Sequence, residues 1–478
     1  MNLEEYSRHD ALGLAELVRR GEVSAAELEG TARRAMAAVN GLTNAVVGEV
    51  SQERGRAAVD PAAPFHGVPF LLKDIGHGHA GVACEMGSRL GKGYVVAEDS
   101  LFGARCKASG LVAVGRSNTP EFALSGTTEP FANGPTRNPW DLDRSAGGSS
   151  GGAGAAVASG VVPIAHGSDA GGSIRIPAAW CGLVGHKPTR GLVPKGPQAS
   201  DLTVALSVNL VLTRTVRDTA AFMDAVCGPG IGDYVSVPKP ARGWLASLGD
   251  PVPPLRVAVA DALPGGLASE PEAVAAARAV AARLEAMGHH VEEATPQADV
   301  HEMQMVGYDL FLSRVEGFLK LLAAATGRQP GPDTLEAMTL ANVREAKAMT
   351  IARLYEAFAI LERITVVMDR FMERYDLLVM PAVSKAPYEI GFADPQRHEA
   401  DGPSYWAKEM PYYAASALWN VTGHPALVIP PLEQRTPVPL GVQLSGRKNA
   451  DGLLFRIAAL LEQEACWQDR RPPVHVAG

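Results

Sequence analysis

The sequence predicts an α/β fold, and three observations carry that expectation. Short apolar runs alternate with helix-patterned stretches along the chain. Residues 255–294 have the strand, helix, strand length of a βαβ unit. The chain has 478 residues, of which 46% are hydrophobic, ample for a large core.

In chain order, residues 10–20 and 24–39 predict two helices. Ser24-Ala-Ala-Glu27 has the form of a capping box, and Leu28, Ala32, Ala35 and Val39 continue an apolar stripe. Val68–Leu72 predicts a short strand ending at Lys73-Asp74, followed by a loop rich in Gly and His to about residue 98. Asp99 is placed to cap a helix to Ser109, with Gly110 as its stop, and Leu111–Val114 is the next strand. Gly154–Ser159 predicts a short, tightly packed helix. Val161–Ala165 predicts a buried strand that Pro163 weakens, and Ile174–Cys181 reads as packed. Leu255–Ala260 is a strand, Ser269-Glu-Pro-Glu272 starts a helix to about Met287, Gly288 stops it, and His290–Glu293 is the following strand. Residues 302–375 are helical in pattern, broken near Gly327–Asp333. Leu377–Pro381, Ala426–Ile429 and Leu440–Leu444 return to strands, and Asp451 is placed to cap a last helix to about Gln463. The Pro- and Gly-rich residues 228–254 read as a surface connection within one unit, 1–478. Its parts are a core at 60–215, the helical region 302–375 and a C-terminal part of the sheet at 376–478.

Composition narrows the function. The formal net charge is −8, the pI about 5.9, and no basic block stands out, so nucleic acid is not an expected partner. No apolar run reaches the ~18 residues of a membrane span. The polar start MNLEEYSRHD does not read as a secretory signal. Five scattered cysteines without a CxxC pair predict reduced thiols in a cytoplasmic protein. His77-Gly-His79 and His289-His290 lack the further ligands a metal centre needs, so neither metal nor cofactor is expected. A monomer or a homodimer fits equally.

The chemistry concentrates in residues 145–173. Two serines flanked by glycines, Ser149 and Ser173, lie 24 positions apart. Glycine permits backbone angles closed to other residues and lets a substrate carbonyl approach main-chain N–H groups. A flexible linker has similar composition, but a linker does not run at once into an Ala/Val helix and a strand. A phosphate cradle would need GxxxxGK[ST], which is absent. Gly147-Gly-Ser-Ser-Gly151 formally satisfies the GxSxG nucleophile elbow, a pattern that arises easily in so glycine-rich a run. A serine nucleophile needs a base. His166 and His186 flank the stretch without any spacing that pairs them with a serine. Lys73, at the end of an apolar run, is a base if burial lowers its pKa and a snorkelling strand-end lysine if it does not.

Longer motifs then decide. Pro69-Phe-Leu-Leu-Lys73-Asp74, Gly115–Glu121, Arg137-Asn-Pro-Trp140, Gly147–Gly152, Asp169–Pro177, Gly182–Gly191, Asn420–Ala426 and Pro439–Gln443 resemble, in order, the amidase signature family of Ser/Ser/Lys hydrolases. The resemblance implies a single large α/β domain with a mixed central sheet covered by helices on both faces. It implies Ser173 as nucleophile, Ser149 as the bridging serine after a cis peptide bond from Gly148, and Lys73 as a base that rests neutral. The backbone N–H groups of Ala170, Gly171, Gly172 and Ser173 match the oxyanion hole, and Asp169 and Arg175 match its supports. By this resemblance Ser149 is the relay, against the elbow reading.

Family members cleave fatty amides, aryl amides, carbamates, nylon-type oligoamides and glutamine, and the core motifs do not choose among them. Position points to Ser125, Gly126 and Thr127, and to the apolar region 302–345 with Met303, Met305, Tyr308, Phe311, Leu312 and Phe318, as substrate walls. Such residues at helical spacing also serve as plain core. Thr127–Pro130, Arg137–Trp140 and Glu389–Gly391 most resemble the branch hydrolysing 6-aminohexanoate cyclic dimers, aryl acylamidases and urethane hydrolases. The expected substrate is therefore a small-molecule amide or carbamate. The alternative is the glutaminase A subunit of a glutamyl-tRNA amidotransferase, whose usual Ser-Leu-Asp type sequence after Pro188-Thr-Arg-Gly191 is missing here.

Overall fold

Five successive buried residues, Pro69–Lys73, form a strand (β2) that packs on both faces, which is why its sequence is apolar up to Lys73. The computed structural model describes residues 1–51, 60–196, 206–265, 268–396 and 402–478. The other strands are β1 (Val46–Glu49), β3 (Val112–Ser117), β4 (Arg137–Asn138), β5 (Asp141–Ser145), β6 (Ile164–Asp169), β7 (Val184–Lys187), β8 (Val208–Thr213), β9 (Arg256–Val259), β10 (His290–Glu293), β11 (Leu377–Pro381), β12 (Ala426–Ile429) and β13 (Val442–Gly446). Among the described residues, 11 strands join one sheet in the order β1-β3-β2-β6-β8-β7-β12-β13-β11-β9-β10, and β4 and β5 form a separate hairpin.

The sheet is mixed, as expected. β2 runs parallel to β3 and β6, while β6–β8, β8–β7, β7–β12 and β12–β13 pair antiparallel. β9 runs parallel to β10 and β11, the expected βαβ unit, with Pro271–Ala286 as its helix. Helices from along the chain cover the sheet: Gly151–Ala158 packs on β2, β3, β6 and β8, Val216–Val226 on β7 and β8, and Asp451–Ala465 on β12 and β13. Gly151–Ala158 is buried at every position, and only its Gly and Ala residues let it lie so deep.

Several boundaries shift for physical reasons. Ser100, not Asp99, caps the helix Leu101–Ala108 by accepting the Gly103 N–H at 3.0 Å, while Asp99 pairs with Lys107. Asp451 stands inside its helix rather than capping it, because its carboxylate is held by His186 and Thr189. β6 begins just after Pro163, whose missing N–H keeps it out of the ladder. Residues 302–375 resolve into Val300–Thr326, Ala337–Ala348 and Ile351–Arg374, the first ended by Gly327 in the left-handed conformation. β8 and the helices Val216–Val226 and Gly402–Tyr413 add to the expected elements. The connection 228–254 contains one helical turn, Leu245–Ser247, and buries Trp244. No described helix is long and apolar enough to cross a membrane.

Candidate active site

β2 and β6 are parallel neighbours, so Lys73 and Asp169, which end them, lie at the same edge of the sheet. Lys73 is fully buried, and its Nζ lies 2.7 Å from Ser149 Oγ and 3.0 Å from Ser168 Oγ. Burial lowers its pKa to about 7, with Asp169 opposing the shift. Lys73 therefore does not snorkel, since no part of its side chain reaches water. Ser149 follows a cis peptide bond from Gly148. Gly148 has no room for a side chain, because a Cβ there would meet the Thr127 carbonyl oxygen at 2.4 Å.

The histidines stand elsewhere in the network. His166 Nδ1 accepts the Lys73 backbone N–H at 3.2 Å, and burial holds its pKa well below the ordinary value. His186 Nε2 pairs with Asp451 at 2.9 Å, also out of water. Among the described residues neither is hydrogen-bonded to Ser149 or Ser173.

The loop from Asp169 to Ser173 is built by one carboxylate. Asp169 Oδ1 accepts from Gly172 N–H at 2.7 Å, Asn420 Nδ2 at 2.9 Å and Arg175 Nη2 at 3.1 Å. Its Oδ2 accepts from Arg175 Nε at 2.9 Å and Ile174 N–H at 3.3 Å. Burial alone would raise this carboxyl's pKa, but the Arg175 guanidinium and the hydrogen bonds outweigh it and hold the pKa well below the carboxylate range. Arg175 is in turn bound to Gln443 and Asn420. Asp169 and Arg175 therefore support the loop, as their motif implies, and Asn420 and Gln443 complete that support. Gly172 takes φ of 127°, and a Cβ there would meet Ser416 Oγ at 2.3 Å.

One expectation needs correction. The Gly172 N–H is committed to Asp169, so it is not a free donor. Among the described residues, the N–H groups of Ala170, Gly171 and Ser173 have no intramolecular acceptor and are available to a ligand.

Two cavities meet at Ser173. The larger, about 300 Å³, is lined by Ser149 and Ser173 and by side chains such as Ile75, Met86, Phe102, Phe122, Phe311 and Phe318. The smaller, about 80 Å³, is lined by Ser125, Gly126, Ala170, Gly171, Ser173, Phe311, Glu409 and neighbours. Ser125, Gly126 and Phe311 thus stand where the sequence places them. Thr127 and Tyr308 do not line either cavity. Thr127 Oγ1 is 2.6 Å from Ser145 Oγ, beneath the serine loop. Tyr308 donates to Asn342 at 3.0 Å and packs edge-on against Trp406, one helical turn behind Phe311. Met303 and Leu312 are core, while Met305 is 43% exposed.

No pattern in the sequence marks Glu409. It is buried at the small cavity's wall and accepts from Ser125 Oγ (2.6 Å), Tyr413 OH (2.6 Å), Tyr388 OH (3.0 Å) and Gly126 N–H (3.1 Å). Burial raises its pKa, and these donors pull the other way. Its donors come from three separate stretches, Ser125–Gly126, Tyr388 and Tyr413, so no local motif announces it. Glu409→Ala should leave several buried donors without an acceptor and cost ~3 kcal/mol or more. Thermal unfolding should then begin several degrees lower, and an unchanged melting temperature would refute this role.

A family model described as Amidase matches residues 29–455 of the chain. Over 478 aligned residues the chain is 37% identical to the 6-aminohexanoate-cyclic-dimer hydrolase of Paenarthrobacter ureafaciens, covering 97% of this chain and 96% of that protein. It is also similar to the solved structure of 6-aminohexanoate cyclic dimer hydrolase complexed with substrate, with TM-score 0.90 and 34% identity, covering 98% of this chain and 99% of that one. A bacterial aryl acylamidase of the amidase signature family shares the fold, with TM-score 0.85 and 24% identity over 97% of this chain and 99% of that one.

Proposed function

The chain belongs to the amidase family, hydrolases acting on the C–N bonds of amides, and we propose that Ser173, Ser149 and Lys73 carry its reaction. The observation that carries this reading is the 2.7 Å approach of a buried Lys73 Nζ to Ser149 Oγ, with Ser149 and Ser173 on the wall of one cavity. A neutral amine donates to Ser168 and keeps a lone pair for the Ser149 hydroxyl. Ser173 Oγ attacks the carbonyl carbon while its proton moves to Ser149 and the Ser149 proton moves to Lys73. The carbonyl oxygen gains negative charge and is met by the free N–H groups of Ala170, Gly171 and Ser173. As the C–N bond breaks, Lys73 returns its proton through Ser149 to the departing nitrogen. Water then attacks the acyl-Ser173 ester, and the same relay releases the acid. From a carbamate the product is an unstable carbonate half-ester.

The substrates of this proposal are hydrophobic or aryl amides and carbamates, or nylon-type oligoamides. Aliphatic and aromatic side chains make up most of the larger cavity's wall, with Lys195 and Arg314 also lining it, which suits the apolar body of an anilide or carbamate better than the wholly polar glutamine. The chain alone, without partner subunits, should hydrolyse an anilide and an alkyl carbamate and leave glutamine almost untouched. Chelators should not change the rate, because the base and the oxyanion donors are all protein groups. Good glutamine turnover with no anilide or carbamate hydrolysis would instead support the glutaminase alternative. Its five free cysteines, four of them buried, fit a reducing compartment, and a cytoplasmic location is part of the proposal.

A further inference from the structure

The two cavities at Ser173 are unequal in chemistry as well as in size, and this divides a substrate between them. Ala170 and Ser173 line both cavities, so the reacting carbonyl stands at their junction. Ser149 lines only the larger cavity, and Gly171 only the smaller. In the mechanism above Ser149 hands a proton to the departing nitrogen. A proton passes only over hydrogen-bond distance, so that nitrogen must lie on the Ser149 side.

We propose that the larger cavity receives the amine portion and the smaller one the acyl or alkoxycarbonyl portion, so that the enzyme selects short acyl groups on bulky, apolar amines. This rests on the Ser173–Ser149–Lys73 reading and specifies its substrate class. The larger cavity has about 300 Å³ against about 80 Å³ for the smaller. Its walls include Met86, Phe122 and Phe318, suited to an aryl or branched amine. Glu409 is part of the smaller cavity's wall, and its hydrogen bonds to Ser125, Gly126 and Tyr413 fix that wall in place. A rigid wall around so small a space disfavours long acyl groups. The chemistry follows the same division. Attack by Ser173 forms the C–O bond of the acyl-enzyme, and C–N cleavage sends the amine, with the proton from Ser149, into the larger cavity. Water enters on the vacated Ser149 side, gives its proton back through the relay and releases the acid.

Two variants test the division. Gly307 lines the smaller cavity, and a Cβ there meets nothing within 4 Å, so Gly307→Leu should fill that cavity without a clash. Val96 lines the larger cavity and is half-buried, so Val96→Trp should narrow it. The probes are two anilide series: acetyl, butyryl and hexanoyl amides of aniline, and acetyl amides of aniline, 4-benzylaniline and 1-naphthylamine. In the unmodified protein kcat/KM should fall at least tenfold from acetyl to hexanoyl and should not fall from aniline to 4-benzylaniline. Gly307→Leu should penalise butyryl further and spare the amine series. Val96→Trp should penalise the bulky amines and weaken product inhibition by 4-benzylaniline. The opposite pattern, with acyl length tolerated and amine bulk rejected, overturns the division while leaving the triad intact. Failure of the triad reading shows separately, as turnover that survives Ser173→Ala. If a variant does not fold, the two series on the unmodified protein and the inhibition by free amine still decide.

Discussion

Ser173→Ala should abolish turnover, lowering kcat by ~10⁴-fold or more, as loss of a serine nucleophile does elsewhere. The reason is geometric. Ser173 stands where both cavities meet, beside N–H groups with no other acceptor. The fold should survive, because the Asp169–Arg175–Asn420 network that shapes the loop does not use the Ser173 hydroxyl. Intact-protein mass spectrometry with a sulfonyl fluoride should show one adduct on the unmodified protein and none on this variant. An adduct that persists and maps to Ser149 would reverse the roles of the two serines.

Lys73→Ala should cost ~10³-fold or more, within the range for removing a positioned base. The pH profile carries the sharper test. Burial brings the Lys73 pKa to about 7, so the amine is neutral above that pH and protonated below it. A base must be neutral to act, so kcat/KM should be flat above about pH 8 and fall tenfold per unit well below about pH 7. The histidines should not set this limb. His166→Asn keeps an acceptor for the Lys73 N–H, and His186→Asn lies in a different network, so both should leave the acid limb in place. A limb that moves with either histidine, or near-normal turnover by Lys73→Ala, would reject Lys73 as the base.

Both predictions concern residues legible in the sequence, and the reason is physical. Lys73 closes a run of apolar residues, and glycines surround Ser149 and Ser173, so local composition reports local demands. β2, β3 and β11 are legible for the same reason, since strands buried on both faces carry apolar runs, here Pro69–Leu72, Val112–Val114 and Leu377–Pro381. What stays hidden depends on partners distant in sequence. The strand order β6-β8-β7-β12 is a matter of long-range pairing, and no segment encodes its neighbour. The Gly172 N–H is lost to Asp169 because of how one turn closes, which residue types do not specify. Tyr308 and Phe311 sit in one apolar pattern, yet only Phe311 faces the cavities, because helical periodicity says which residues share a face and not what that face meets. Glu409 reads as an ordinary charged residue until Ser125, Gly126, Tyr388 and Tyr413 converge on it.

The burial of Lys73 also links the reaction to folding itself. In the unfolded chain this amine recovers its ordinary value of 10.5, against about 7 in the folded protein. Between those values the unfolded state binds more protons, so unfolding consumes a proton at this residue. Lys187, likewise brought to about 7 chiefly by burial, acts in the same direction. The contribution of both lysines to the free energy of unfolding therefore rises as pH climbs from about 7 toward 10.5 and is least favourable in acid. The condition that arms the base is the condition under which its burial is least opposed.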